Sequence, residues 1–436
     1  MTKCYQNPIH FSRVKRRQVD VNFNGGDISS DGGMILLRET DRQLGLTQAI
    51  HRAIRDPRVK NRCTHDQLTL LRQRIFALAC GYEDLNDHDR MRHDTLLQTA
   101  IGQDHELASS ATLCRLEQRM DRDCAVQLHQ VLVEQFIRSF KTAPKQLILD
   151  FDATDNPVHG DQVGKYFSGF YNGYCFLPLY VFCGTQLLVS YLRPASCGAA
   201  HHAGAILALL VKRLRQVWPW VQIIFRGDGG FCKPLLLNWC DRHGVDYVIG
   251  MAQNSRLLAR TTTIRDTAAT LYALQQKPQR WFGDIDYAAH TWPHPRRVII
   301  KAEHNAQGAN PRFVITSLKQ TARYIYETLY CARGNMENRI KEQIQLFSDR
   351  TSCHEWWPNQ FRLLLSGMAY VLIERLRQLA LQGTTLAQAE VRSIQLKLFK
   401  IGAVIVRNTR RICIMLSSHY PWRDVFIRAA QQLNTC

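Results

Sequence analysis

Apolar residues between His65 and Cys80 recur at helical spacing, at Leu68, Leu71, Ile75 and Leu78. Thr64 and Gln67 form a capping box in front of them, and Gly81 stops the run. Similar periodicity predicts helices near His88 to Ile101, Ala111 to Met120 and Val126 to Phe140, so residues 1–145 read as helical. At Gln146 the period shortens. Leu147–Asp152 is a strand after Pro144, and Tyr174 to Cys183 and Gln186 to Leu192 form a hairpin around Gly184-Thr185. Ala203–Val217 is an amphipathic helix, Val221–Phe225 a strand, Lys233–Arg242 a helix and Asp246–Met251 a strand. The order β-β-β-α-β-α-β predicts a mixed α/β sheet with parallel crossovers.

Beyond this core, Trp281 to Tyr287, Arg296 to Glu303 and Arg312 to Ser317 are strand-like, with Pro, Gly and Asn between them, and read as a β-rich insertion. A long helix is expected from Tyr326 to about Phe347, and an apolar one from about Pro358 to Leu379. The tail from Gln395 alternates apolar and basic residues, with Arg407, Arg410 and Arg411 clustered. The expected organisation is a helical region over 1–145, a first core segment over 146–252, an insertion over 253–325, the remaining core over 326–380 and a basic region over 381–436.

Charge narrows the class of partner. The chain of 436 residues carries 56 Lys and Arg against 37 Asp and Glu, a net +19. Folding needs no such excess, so a polyanion is the first partner to consider. The excess is uneven: residues 146–252 hold eight basic and seven acidic side chains, and residues 331–436 hold 15 and seven. Basic arms around a nearly neutral core suit a site that holds cations and flanks that hold nucleic acid. Short helices with basic faces in residues 1–145 suit DNA docking, and a purely structural helical subdomain is the other reading. Fourteen scattered cysteines without a Cys-x-x-Cys pair read as reduced thiols. Met1–Arg17 is polar and basic and lacks a signal peptide's apolar segment, so a soluble cytoplasmic protein without membrane contact is expected.

Three acids sit where an α/β sheet presents ligands: Asp152 at a strand end, Asp228 after a strand in the turn Arg226-Gly227-Asp228-Gly229-Gly230, and Glu337 on the long helix. Converging carboxylates repel unless cations neutralise them, and hard oxygen ligands suit Mg²⁺ or Mn²⁺. Two such ions about 4 Å apart activate a water or hydroxyl and stabilise the leaving oxygen of a phosphodiester. On the helix, Tyr330, Arg333, Glu337 and Lys341 are spaced to share one face, beside an apolar stripe of Met336, Ile340, Ile344 and Phe347. A solvated Arg333–Glu337–Lys341 ladder has the same spacing. Gly334 and Asn335 cost helix propensity there, which argues against pure structural optimisation. On the first strand Asp150 and Asp152 share a face with Ile148, opposite Leu147, Leu149 and Phe151, and periodicity does not separate the two acids.

These segments, with Gly164-Lys165-Tyr166-Phe167-Ser168-Gly169-Phe170-Tyr171-Asn172-Gly173-Tyr174, resemble those of DDE insertion-sequence transposases, most closely the IS-thirteen-eighty family. The resemblance spans about residues 20–425. It implies an RNase H-like mixed-sheet catalytic core with a β-rich insertion and helical N- and C-terminal regions. It implies two Mg²⁺ ions, with Mn²⁺ able to substitute, held by Asp152, Asp228 and Glu337. It selects Asp152 over Asp150 because the family's first acid is followed by one residue and a Thr. The implied activity is cleavage at terminal inverted repeats and joining to target DNA, by a homodimer on double-stranded DNA.

Tyr330 and Arg333 would position a phosphate, because the planar Arg fork grips it bidentately. The wider group has a Lys where Ile344 stands, so Lys341, one turn nearer, is the substitute cation. Arg226, Trp281 and Trp292 are further candidate DNA contacts, the tryptophans for stacking on an unpaired base or else as buried core. Tyr166, Phe167, Phe170 and Tyr171 line a DNA channel or pack as a hairpin. Two other readings are a metal-dependent nuclease on the same fold and a DNA-binding protein without catalysis.

Overall fold

The computed structural model describes residues 8–158 and 160–434. The chain divides into two compact units, Met1–Arg119 with Met368–Cys436, and Met120–Gly367.

The second unit is built on one mixed sheet. Helix α1 (Arg122–Arg138) precedes strand β1 (Gln146–Ala153), and the hairpin β2 (Leu179–Cys183) and β3 (Gln186–Tyr191) follows. Then come α2 (Ala203–Val217), β4 (Gln222–Gly227), α3 (Pro234–His243) and β5 (Asp246–Met251). After helix α4 (Thr262–Gln275), strands β6 (Gln279–Tyr287), β7 (Arg296–Asn305) and β8 (Arg312–Thr316) complete the sheet. Its order is β6-β7-β8-β5-β4-β1-β2-β3, with the two residues Gly308–Ala309 also paired on β7. β1, β4 and β5 run parallel, and the other neighbours pair antiparallel. Three antiparallel strands followed by two parallel ones with crossover helices form the RNase H-like mixed sheet expected from the sequence. The strands anticipated as an insertion extend this same sheet, because β8 pairs with β5.

Alternation along β1 sets the two faces of the sheet. Leu147, Leu149 and Phe151 are buried with Ile223 and Phe225 of β4 and with Leu207, Leu210, Val211 and Leu214 of α2, whose spacing makes one apolar stripe. The Phe151 ring meets those of Phe225 and Phe231 at 4.8 and 6.2 Å. Burying each such side chain stabilises the fold by about 1.5–3 kcal/mol. On the opposite face, Ile148 and Ile224 pack with Val248, Ile299, Val314, Ile325, Tyr326 and Leu329. That second cluster anchors the segment leading to Glu337.

This segment is not one regular helix. A turn at Ala322–Tyr324 loosens into a π-helical stretch, Ile325–Tyr330, and tightens into a 3₁₀ turn, Cys331–Arg333. Helix α5 (Gly334–Gln345) then begins. Gly334 and Asn335 therefore stand in the first helical turn, where their low interior propensity costs little. Met336 and Ile340 are buried as expected, but Ile344 is 39 % exposed, so the apolar stripe ends a turn early. Helix α6 (Trp356–Ala380) runs from the second unit into the first.

The first unit corrects the all-helical expectation for the N-terminal region. It opens with a β-hairpin, Ile9–Val14 and Arg17–Val21, and Asp27–Ser29 joins Ala403–Arg407 and Ile412–Leu416 in a small sheet. Helices include Met34–Leu44, Leu46–Ala53, Gln67–Ala79, Ser110–Gln118 and Arg423–Asn434. Asp66, not Thr64, caps the Gln67–Ala79 helix, accepting from the Thr69 amide. The single helix expected near His88 to Ile101 is two, Asp87–Met91 and Thr95–Ile101, because Asp94 starts a new N-terminus. Arg74 is buried against Glu117 at 3.0 Å and belongs to the core of this unit.

Candidate functional site

β1 and β4 are paired in parallel with Phe151 opposite Gly227, so Asp152, the last-but-one residue of β1 and still paired with Tyr180 of β2, stands beside Asp228, the first residue after β4. Asp152 Oδ1 accepts from the Ala153 amide at 2.9 Å, and Asp228 Oδ1 accepts from the Gly230 amide at 2.9 Å. The third acid comes from α5. Arg333 donates through Nη1 to Asp152 Oδ2 at 2.9 Å and through Nη2 to Glu337 Oε1 at 3.3 Å. One guanidinium thus spans the sheet acid and the helix acid. Glu337 is 55 % exposed at its side chain, whereas Asp152 is 12 % exposed.

Electrostatics tie the group together. The Asp152 carboxyl is pushed up to about 6, chiefly by burial and further by Asp228 and Glu337, while Arg333 opposes the shift. Burial works against the Arg333 charge, but Asp152, Asp228, Tyr330 and Glu337 outweigh it and raise its pKa. Burial also raises the Tyr330 hydroxyl, near Asp228 and Arg312. Tyr171 is pushed up to about 12 by burial and by Asp155, Asp152 and Asp228, which brings the segment between β1 and β2 to the same acids. Among the described residues no group of three or more His, Cys, Asp or Glu stands arranged to hold a metal ion.

Tyr330 fits because Gly250 is a glycine. A Cβ on Gly250 would stand 2.5 Å from the Tyr330 hydroxyl and 3.0 Å from the Gly229 backbone nitrogen. The end of β5 and the turn after Asp228 therefore approach this tyrosine more closely than any other residue type permits. Neither Gly250 nor Arg312 stands out in the sequence. Gly250 sits inside a strand without a turn signature, and Arg312 is more than 80 positions from Asp228, so only tertiary contact reveals either.

The remaining candidates separate. Lys341 is exposed one turn beyond Glu337. Trp281 on β6 is 43 % exposed. Trp292 is half-buried and packs against the core, with the Tyr287 ring at 5.6 Å and the Arg296 guanidinium at 5.3 Å. Arg226 is also corrected as a DNA contact. It is buried, forms a two-pronged ion pair with Asp150 and donates to the Leu329 carbonyl at 2.6 Å. That geometry gives Asp150 a structural partner and leaves Asp152 as the acid at the open end of β1. Tyr166, Phe167, Phe170 and Tyr174 are exposed on a small sheet formed by Asn156–Pro157, Gly173–Phe176 and Tyr166–Ser168.

An RNase H-like sheet with this sequence is that of a DDE-type transposase. The chain belongs to the family Transposase DDE domain group 1, whose profile matches residues 11–436. Among solved structures, a piggyBac transposase synaptic complex with hairpin DNA is similar over 85 % of this chain and 80 % of that one, at 10 % identity and a TM-score of 0.42. No curated protein matches the chain. Among the described residues no helix is long and apolar enough to cross a membrane.

Proposed function

We propose that this DDE transposase is an insertion-sequence transposase of the IS-thirteen-eighty kind. In this reading it acts in the cytoplasm as a homodimer on double-stranded DNA, binds the terminal inverted repeats of its element, cuts the ends and joins them to target DNA. The observation that carries the reading is the side-by-side placement of Asp152 and Asp228 at the carboxyl ends of parallel strands, with Arg333 joining Asp152 to Glu337 of α5.

The chemistry of the donor set suits divalent cations, although the three acids are not gathered into a metal-holding cluster among the described residues. Asp152, Asp228 and Glu337 offer hard oxygens within electrostatic reach of one another, the chemistry Mg²⁺ and Mn²⁺ prefer. When bound, such ions supply Lewis-acid activation of the attacking oxygen and stabilisation of the leaving oxygen. The protein's own residues hold the acids in place. Arg333 offsets their repulsion in the ion-free protein and presents a fork that can exchange a carboxylate for a phosphate oxygen. Tyr330, fixed over Gly250, places a hydroxyl donor beside the same point. Lys341 and Trp281 remain as outer DNA contacts, and the basic N- and C-terminal regions as the grip on the element's ends.

Incubation with candidate element ends and Mg²⁺, followed by mapping of the cut phosphodiesters and of joined products, tests this reading. Cuts at the element boundary with covalent joining are expected. Cutting without joining would identify a nuclease, and binding without cutting a non-catalytic DNA-binding protein.

A further inference from the structure

The N-terminal hairpin has no role in the account so far. Among the described residues its strands, Ile9–Val14 and Arg17–Val21, pair only with each other, and every residue in them is exposed except the half-buried Val19. A two-stranded ribbon with so little buried surface is marginal in water. Its composition is divided along its length. The register pairs Ile9 with Val21 and Phe11 with Val19, which makes one apolar face towards the open end. The tip carries Arg13, Lys15, Arg16 and Arg17, and none of these four forms an ion pair among the described residues. The hairpin's acid, Asp20, is already paired with His10 at 2.6 Å.

We propose that this hairpin is a DNA-binding arm that lies as a two-stranded ribbon in the major groove. The inference rests on the DNA-binding reading above and deepens it, naming the element of the N-terminal region that meets DNA and the groove it enters. Two points favour duplex DNA as the occupant. Four cations without an acidic partner, within five residues, match a phosphate backbone. The major groove, about 12 Å wide, admits a two-stranded ribbon, and the thymine methyl groups exposed there suit an apolar face of Ile9, Phe11, Val19 and Val21. Lys15 holds the turn with φ 56°, which keeps the tip tight enough to enter a groove.

The test uses the full chain and a triple variant, Lys15→Ser, Arg16→Ser and Arg17→Ser, with a mixed-sequence duplex titrated across salt concentrations. All three residues are exposed, so the thermal midpoint should not move. The variant's slope of log affinity against log salt should be shallower by about 0.9 for each phosphate that the arm no longer neutralises. Protection of guanine N7 from dimethyl sulphate, a major-groove signal, should be present with the wild type and reduced with the variant. A steep wild-type slope with an identical variant slope would overturn the arm while leaving the DNA-binding reading intact. A flat wild-type response would overturn both. Loss of self-association in sedimentation with an unchanged slope would assign the ribbon to a second copy of the chain and overturn the proposal.

Discussion

The Asp152 carboxyl ionises near 3.8 in the unfolded chain and near 6 in the folded protein. Between these pH values the folded state alone holds the proton, so lowering the pH through this window stabilises the fold. Above about 6 the ionised, buried group destabilises it by about 3 kcal/mol. Asp152→Asn removes the charge and keeps an oxygen for Arg333. It should therefore raise the thermal midpoint at neutral pH and above, with the gain shrinking as the pH falls below about 6, while cleavage is lost. Equal midpoints across that pH range would mean that Asp152 is not strained by its neighbours. The acid two residues earlier, Asp150, is also raised by burial, but it has a buried two-pronged partner in Arg226. Arg226→Ala leaves Asp150 buried without its partner and should cost about 3–5 kcal/mol in a denaturant titration, independent of DNA. A loss confined to DNA affinity would restore Arg226 to the DNA surface.

The segment from Thr321 to Gln345 shows how an element's winding aims its side chains. A uniform α-helix would place Tyr330 and Glu337 two turns apart on one face. Here a π-helical stretch leads into Tyr330 and a 3₁₀ turn at Cys331–Arg333 separates it from α5, and Tyr330 docks against Gly250. Gly250→Ala should displace the Tyr330 hydroxyl and cost about 1–3 kcal/mol of stability. Adding Tyr330→Phe removes the nearest clashing atom and should recover part of that loss; no recovery would place the strain at the Gly229 backbone.

Strands β1 to β5 are legible in the sequence because each has a short apolar run bounded by turn residues, and the faces of β1 follow from strict alternation. The change of helical winding is not legible, because π and 3₁₀ turns have no hydrophobic period of their own. Arg226 misleads for a related cause: composition marks a cation as a DNA contact, but burial depends on a partner such as Asp150 that composition does not reveal. The N-terminal hairpin escapes a reading by periodicity because its few apolar residues are outnumbered by polar and basic ones.

On the scale of the whole molecule, a net charge of +19 on an RNase H-like frame predicts DNA binding that weakens steeply with salt. A shallow dependence would leave the charge without a function. The unit Met120–Gly367 contains the three acids, while the hairpin and the C-terminal basic cluster belong to the other unit. Binding and cutting should therefore be separable by mutation. The most direct test of the account compares wild-type protein with Glu337→Gln on the same element-end duplex, measuring affinity and Mg²⁺-dependent cleavage together. The variant should bind with wild-type affinity and salt slope and show no detectable cleavage. Wild-type cleavage by the variant, or loss of binding together with cleavage, would contradict the assignment of Glu337 to the cutting site.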